Sequence, residues 1–215
     1  MNLQRYAVAL MLVTAAPASF AASSVDLSVS GSIVPASCTP WLTTPELDFG
    51  KISAKDLNLD KPTRIGGDKS QILGIQCQSA VRFALRGVDN RADTVGNNTY
   101  GSPYGLGVTH KNEKIGAHYF VVVPSNSLVD NAPAYATVGN AAGTQWSVSG
   151  TGDRAIRTNG ELLGFNLSSV STGPIPITEA LFTLKSHIMV APANTLTLDQ
   201  DVALDGSATI ELVYL

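Results

Sequence analysis

Two cysteines, three histidines and a few clustered carboxylates are the residues in this sequence that could do chemistry. Cys38 and Cys77 suit a disulfide, because their number is even and the start of the chain reads as an export signal leading to an oxidising compartment. Closing the loop between them would remove unfolded-chain entropy worth roughly 4 kcal/mol. Two unpaired buried thiols are an alternative. A metal site is a poorer one, since neither cysteine has a second cysteine or a histidine at ligand spacing. His110 and His118 are spaced to share one face of a strand, but Lys111, Lys114 and Gly116 intervene and both read as surface histidines. Asp89, Arg91 and Asp93 imitate the opening of a calcium loop. Arg91 takes a ligand place, however, and the required glycine and terminal glutamate are missing, so a turn is expected. No His-Glu-x-x-His pair, Gly-x-Ser-x-Gly elbow or phosphate-cradling glycine loop occurs. Trp41, Trp146 and the stretch Tyr100 to Tyr104 can build a sugar platform or simply pack. The expectation is therefore a chain without catalytic residues, metal or cofactor: not an enzyme.

The elements that carry these residues follow from the rest of the chain. Met1 to Arg5 is a positively charged start, Tyr6 to Phe20 is a mostly apolar run, and Ser19-Phe20-Ala21 offers small residues at the positions a signal peptidase reads. The run is about 15 residues, short of the ~20 that a membrane-spanning helix needs. Residues 1–21 are thus expected to be a signal peptide that delivers the chain to the periplasm. About 194 residues then remain, compatible with one domain. Charged residues make up 14% and the net charge is −3, too weak a bias for a nucleic-acid partner.

Period-two alternation runs through the mature chain. Val25, Leu27, Val29, Gly31 and Ile33 alternate with Asp26, Ser28, Ser30 and Ser32. Further strand patterns cover Leu47–Gly50, Ile72–Cys77, Val81–Leu85, Tyr119–Val123 (ended by Pro124), Trp146–Val148, Leu162–Leu167, Leu181–Val190 and Ala208–Leu215. Clusters of Gly, Pro, Asn and Asp separate them, and Asn90 to His118 reads as an extended loop or loose hairpin. Many short strands with regular turns predict an all-β sandwich.

The two ends admit more than one reading. Val25–Ile33 can be an edge strand of its own sandwich, or can leave it and fill a neighbour. Ile210, Leu212 and Tyr214 alternate with Thr209 and Glu211 on a last strand with no successor, and an unpaired apolar edge invites another chain.

Several stretches bear on that choice. Val29-Ser30-Gly31-Ser32-Ile33 ahead of Cys38, Asp48-Phe49-Gly50, Ile75-Gln76-Cys77 and the penultimate Tyr214 resemble chaperone–usher pilins. Ser37-Cys38-Thr39-Pro40, Leu85 to Arg91, Gly105-Leu106-Gly107, Lys114-Ile115-Gly116 and Leu204-Asp205-Gly206-Ser207 resemble the uncharacterised family associated with β-type fimbriae. Typical pilins carry a glycine farther from the C-terminus, at the position where this chain has Val202; its nearest glycine is Gly206. The resemblance implies an immunoglobulin-like, pilin-type sandwich over residues 36–215 that lacks its last strand, preceded by a donor-strand extension at 22–35. It implies Val25, Leu27, Val29 and Ile33 as knobs with Gly31 at the small position. Ile210, Leu212 and Tyr214 become the strand that a periplasmic chaperone and then a neighbour's extension would pair with. The implied partners are that chaperone, an outer-membrane usher and neighbouring fimbrial subunits, in a homopolymer or heteropolymer. A host or surface receptor is a further candidate, and the final location is a fimbrium at the cell surface that supports adhesion. The rival reading is a periplasmic or surface-exposed binding module, such as a carbohydrate-binding adhesin, with the N-terminal strand in its own sandwich and a pocket at 90–118. A small outer-membrane barrel needs aromatic girdles, which 7% of scattered aromatics do not supply.

Overall fold

A computed structural model describes residues 28–30, 37–96 and 101–215, with 67 and 68 described by their backbone alone. The chain divides into two units, Met1–Val34 and Pro35–Leu215. Of the first, only residues 28–30 are described, as irregular and exposed backbone. Val25, Leu27, Gly31 and Ile33, and most of the strand expected there, lie outside the described residues.

The second unit is an antiparallel, immunoglobulin-like β-sandwich. Its strands are β1 (Cys38–Leu42), β2 (Thr63–Asp89), β3 (Tyr104–Gly105), β4 (Gly116–Val122), β5 (Leu128–Val129) and β6 (Ala132–Pro133). They continue with β7 (Tyr135–Gly139), β8 (Arg154–Ile156), β9 (Leu162–Asn166), β10 (Pro176–Val190) and β11 (Ala208–Tyr214). The Ile72–Cys77 and Val81–Leu85 patterns are not two strands but parts of β2, 27 residues long. β2 belongs to both layers. Its first part pairs with β1 and β10, and its second part with β11 and β9. β10 carries β4 and β5 on its other edge, and β9 carries β7.

Alternation along these strands builds the core. Leu73, Ile75 and Cys77 of β2 and Ala180, Phe182 and Leu184 of β10 face Phe83, Leu85, Leu163 and Phe165 of the other layer. The Phe165 and Phe182 rings stack at 3.9 Å between centroids, which ties the layers together. A second cluster of Leu106, Ile115, Ile188 and Val190 lies under the far end of β10.

Two expected strands are absent and one loop is more ordered than expected. Leu47–Gly50 is irregular because Asp48 Oδ1 accepts from the Gly50 N–H at 2.7 Å, and Gly50 sits at φ +68; that turn ends extended structure. Trp146–Val148 makes only isolated bridges, to Gly139 and Thr172. Within the Asn90–His118 connection, Tyr104, Leu106 and Ile115 are buried, and β3 pairs with β4.

Candidate strand-binding groove

β1 and β11 occupy the same edge of β2. At Arg82, Pro176 of β10 lies on one side, while the Arg82 carbonyl accepts the Leu215 N–H on the other. β11 is therefore opposite β10 across β2, and so is β1, which pairs with Leu73–Cys77 where β10 holds the other side. Antiparallel pairing alternates which residues turn their main-chain groups toward a neighbour. Gln78 N–H donates to Ser37 C=O and Thr43 N–H to Ile72 C=O, so Cys38, Pro40 and Leu42 turn theirs away from β2. Asn90 N–H donates to Ser207 C=O and Leu215 N–H to Arg82 C=O, so Ala208, Ile210, Leu212 and Tyr214 do likewise. Among the described residues no strand pairs with either outer edge.

Between these two edges runs an open groove of about 610 Å³. Leu42 and Leu47 form one lip and Ala208 and Ile210 the other, over a floor that includes Leu73, Phe120 and Leu184. Ile210 and Leu212 are half-buried against the core, and Tyr214 is 48% exposed. The three residues expected at the C-terminal strand thus share one strand, with Ile210 on the groove. The groove is bounded at one end by Tyr214, whose Oη accepts the Cys38 N–H at 2.9 Å. The Cys38–Cys77 disulfide pins the same end, joining directly opposed residues of β1 and β2. Trp41 lies against Gly74 on the same pair; a Cβ at Gly74 would come within 2.1 Å of the indole, so a larger residue there requires Trp41 to shift. Across the second lip, Arg86 and Glu211 form an ion pair at 2.7 Å between β2 and β11.

Of the two histidines expected at the surface, His110 is there and His118 is not. His110 sits in a turn and pairs with Asp199 at 3.5 Å. His118 is buried on β4, at the groove floor, bonded through Nε2 to the Ser186 hydroxyl. Burial, and then the neighbouring His187, push the His118 imidazole down to about 4. His110 and His118 thus sit in different environments, one exposed and one buried. His118 and its neighbours Ala117 and Tyr119 are all buried, so both faces of β4 are covered. His187 is also buried, stacked on Tyr119 with centroids 4.8 Å apart. Its imidazole is lowered by burial and by Arg64.

The remaining candidates are structural. Asp89 Oδ1 accepts the Arg91 N–H in a turn, and the Arg91 guanidinium bonds Asp205. Tyr104 is wholly buried and donates to Ile156 C=O at 3.0 Å, while Trp146 packs on Gly139, Gly164 and Gly173; Trp41, Trp146 and Tyr104 do not form one platform. Among the described residues, no cluster of three or more His, Cys, Asp and Glu is placed to hold a metal ion. Sequence reasoning missed Gln71 altogether. It is a polar residue at an inward position of β2, 6% exposed, lining the groove.

Comparison with known proteins places the chain near proteins whose names carry no activity. A family described as a protein of unknown function, DUF1120, matches residues 27–103. That stretch holds β1, β2 and the connection that follows. The chain is 28% identical to "Uncharacterized protein YhcF" of Escherichia coli (strain K12), over 91% of this chain and 92% of that protein. It is 27% identical to "Protein GltF" of the same organism, over 100% of this chain and 98% of that protein. The second similarity covers the whole chain, so the groove-forming β1 and β11 fall within its length.

Proposed function

We propose that the chain is a structural subunit of a surface fimbria, exported by way of residues 1–21 and polymerised by strand exchange. The observation that carries this reading is the groove between β1 and β11. Two edges on the same side of β2 face each other with main-chain groups pointing outward, above a floor that includes the apolar Leu73, Phe120 and Leu184. A strand laid between them gains a hydrogen-bond ladder from one or both edges and buries its alternate side chains. Val25, Leu27, Val29 and Ile33 have the required alternation, with Gly31 at the small position. Each large side chain buried in this way would contribute roughly 1.5–3 kcal/mol.

The order of events is the one the pilin resemblance implies. A periplasmic chaperone pairs with β11 through Ile210, Leu212 and Tyr214 and covers the groove. At an outer-membrane usher, residues 25–33 of the next subunit replace it. The contact is head to tail and does not close on itself, so repetition builds a fibre, which then supports adhesion at the cell surface.

The test is direct binding. A fluorescent peptide of residues 23–35 added to the mature chain is expected to bind saturably and raise its Tm by mass action. A control peptide of the same composition, with the polar and apolar faces exchanged by a one-residue shift, is expected not to bind. Equal binding of both peptides, or of neither, would remove the reading.

A further inference from the structure

Gln71 and His118 are the buried polar side chains among the apolar residues of the groove, and of the two His118 has its partner in Ser186. Gln71 is on the inner face of β2, opposite Leu184 of β10, and its Oε1 is buried with no hydrogen-bond partner among the described residues. Leaving a buried carboxamide oxygen unpaired is unfavourable. Its surroundings do not relieve it. Leu73, Phe120 and Leu184 are apolar, and His118 is engaged with Ser186.

The place of Gln71 along the groove gives it a use. The ladder between β1 and β2 ends at Leu42 opposite Leu73, followed only by the Thr43–Ile72 bonds. Gln71 comes next. A strand pairing with β11 along Ala208–Tyr214 would have the outward groups of β1 beside its second edge over Cys38–Leu42 and no strand there beyond. A carboxamide presents the same groups as a peptide unit, an acceptor oxygen and N–H donors. It can therefore take the place of the missing rung.

We propose that Gln71 completes the ladder where β1 ends, its carboxamide hydrogen-bonding the main chain of residues 25–33 from a second copy of this chain. This rests on the strand-exchange reading above. Within the apolar face of that segment, Gly31 is the residue with no side chain between the groove floor and the main chain, so the peptide groups flanking Gly31 are the ones Gln71 reaches. The bond uses main chain only. It fixes how far along the groove the strand sits, whereas the apolar knobs decide which strand enters. Gln71 is thus a positioning residue.

The experiment is a double-mutant cycle on the mature chain, using Gln71→Leu and, as a same-length alternative, Gln71→Met. The ligand is the 23–35 peptide, unmodified or N-methylated at Gly31 or at Ser32. Both variants are expected to bind the unmodified peptide about tenfold more weakly. The Tm of the unliganded chain should stay the same or rise, because an unpaired buried oxygen has gone. One of the two methylations should weaken binding to the wild-type chain about tenfold and leave binding to the variants unchanged. Unaltered affinity in both variants, or methylation costs identical in wild-type and variant chains, would overturn the role of Gln71 while leaving strand exchange standing. Failure of the unmodified peptide to bind the wild-type chain would instead take down the strand-exchange reading, and this inference with it.

Discussion

His118 shows how one residue links burial to a measurable property. Its imidazole is neutral in the fold, with its pKa lowered from 6.5 to about 4 by burial and the nearby His187. In the unfolded chain it takes up a proton below about pH 6.5. The folded-state value is the lower one, so protons favour unfolding, and stability falls as pH drops from about 6.5 toward 4. The ceiling on this effect is about 3 kcal/mol. Glu113 has a lowered pKa because the Thr197 N–H and hydroxyl and the Thr109 hydroxyl bond its carboxylate. Its contribution is lost below the ordinary carboxylate value of 4.5, so the interval from pH 6.5 to 5 isolates the histidines. Urea unfolding at pH 7.0 and 5.0 should show a clear loss for the wild-type chain and a smaller one for His118→Gln; equal losses would refute the assignment. Gly74 offers a second test at this scale. Gly74→Ala drives a methyl into the Trp41 indole, with an expected loss of about 1–3 kcal/mol in denaturant melts. An unchanged midpoint would mean Trp41 moves aside freely.

At the scale of elements, β1 is five residues long and held on one edge, so the disulfide is its main anchor. Replacing Cys38 and Cys77 together by Ala should cost roughly 4 kcal/mol, read from the shift in the urea midpoint. A loss below about 1 kcal/mol would show that pairing with β2 suffices to hold β1. β11 is the lip through which a chaperone would act. Deleting residues 210–215 should abolish chaperone co-purification and lead to degradation, whereas normal periplasmic accumulation would speak against that role. Glu211→Gln, which breaks an ion pair with both side chains about two-fifths exposed, should change stability by less than about 1 kcal/mol.

Long alternating elements were the legible part of the sequence. β11 stands where its period-two run predicts it, β9 matches its expected apolar run to within a residue, β10 starts at Pro176 ahead of the expected Leu181, and β4 ends before Pro124 as expected. Leu47–Gly50 misled because its alternation is real but its backbone is bent by an Asp48 turn, a local bond that outweighs pattern. The continuity of β2 through residues 78–80 and the burial of His118 were not readable. Both depend on which strands meet across the sandwich, and a polar residue at an inward position looks like a surface residue until its neighbours are known. Of the groove only the unpaired last strand was legible; β1 carried no strand pattern in the sequence, and that it shares one edge of β2 with β11 required the register at Arg82.

For the whole molecule, the central claim is that residues 25–33 serve another copy of the chain. A donor strand completes a neighbour's core, so it should be dispensable for its own subunit and required for assembly. Leu27→Arg tests this most directly. The substitution would place an unpaired charge in an apolar groove, at a cost of several kcal/mol, yet leave the chaperone-held monomer unharmed. The measurement is paired, comparing the periplasmic amount of the chaperone–subunit complex with the amount of surface polymer that resists mild heating in detergent. The account predicts that the complex persists at wild-type level while the polymer disappears. Loss of the monomer itself, or polymer formed at wild-type level by Leu27→Arg, would contradict it and return the N-terminal strand to its own sandwich or to no structural role.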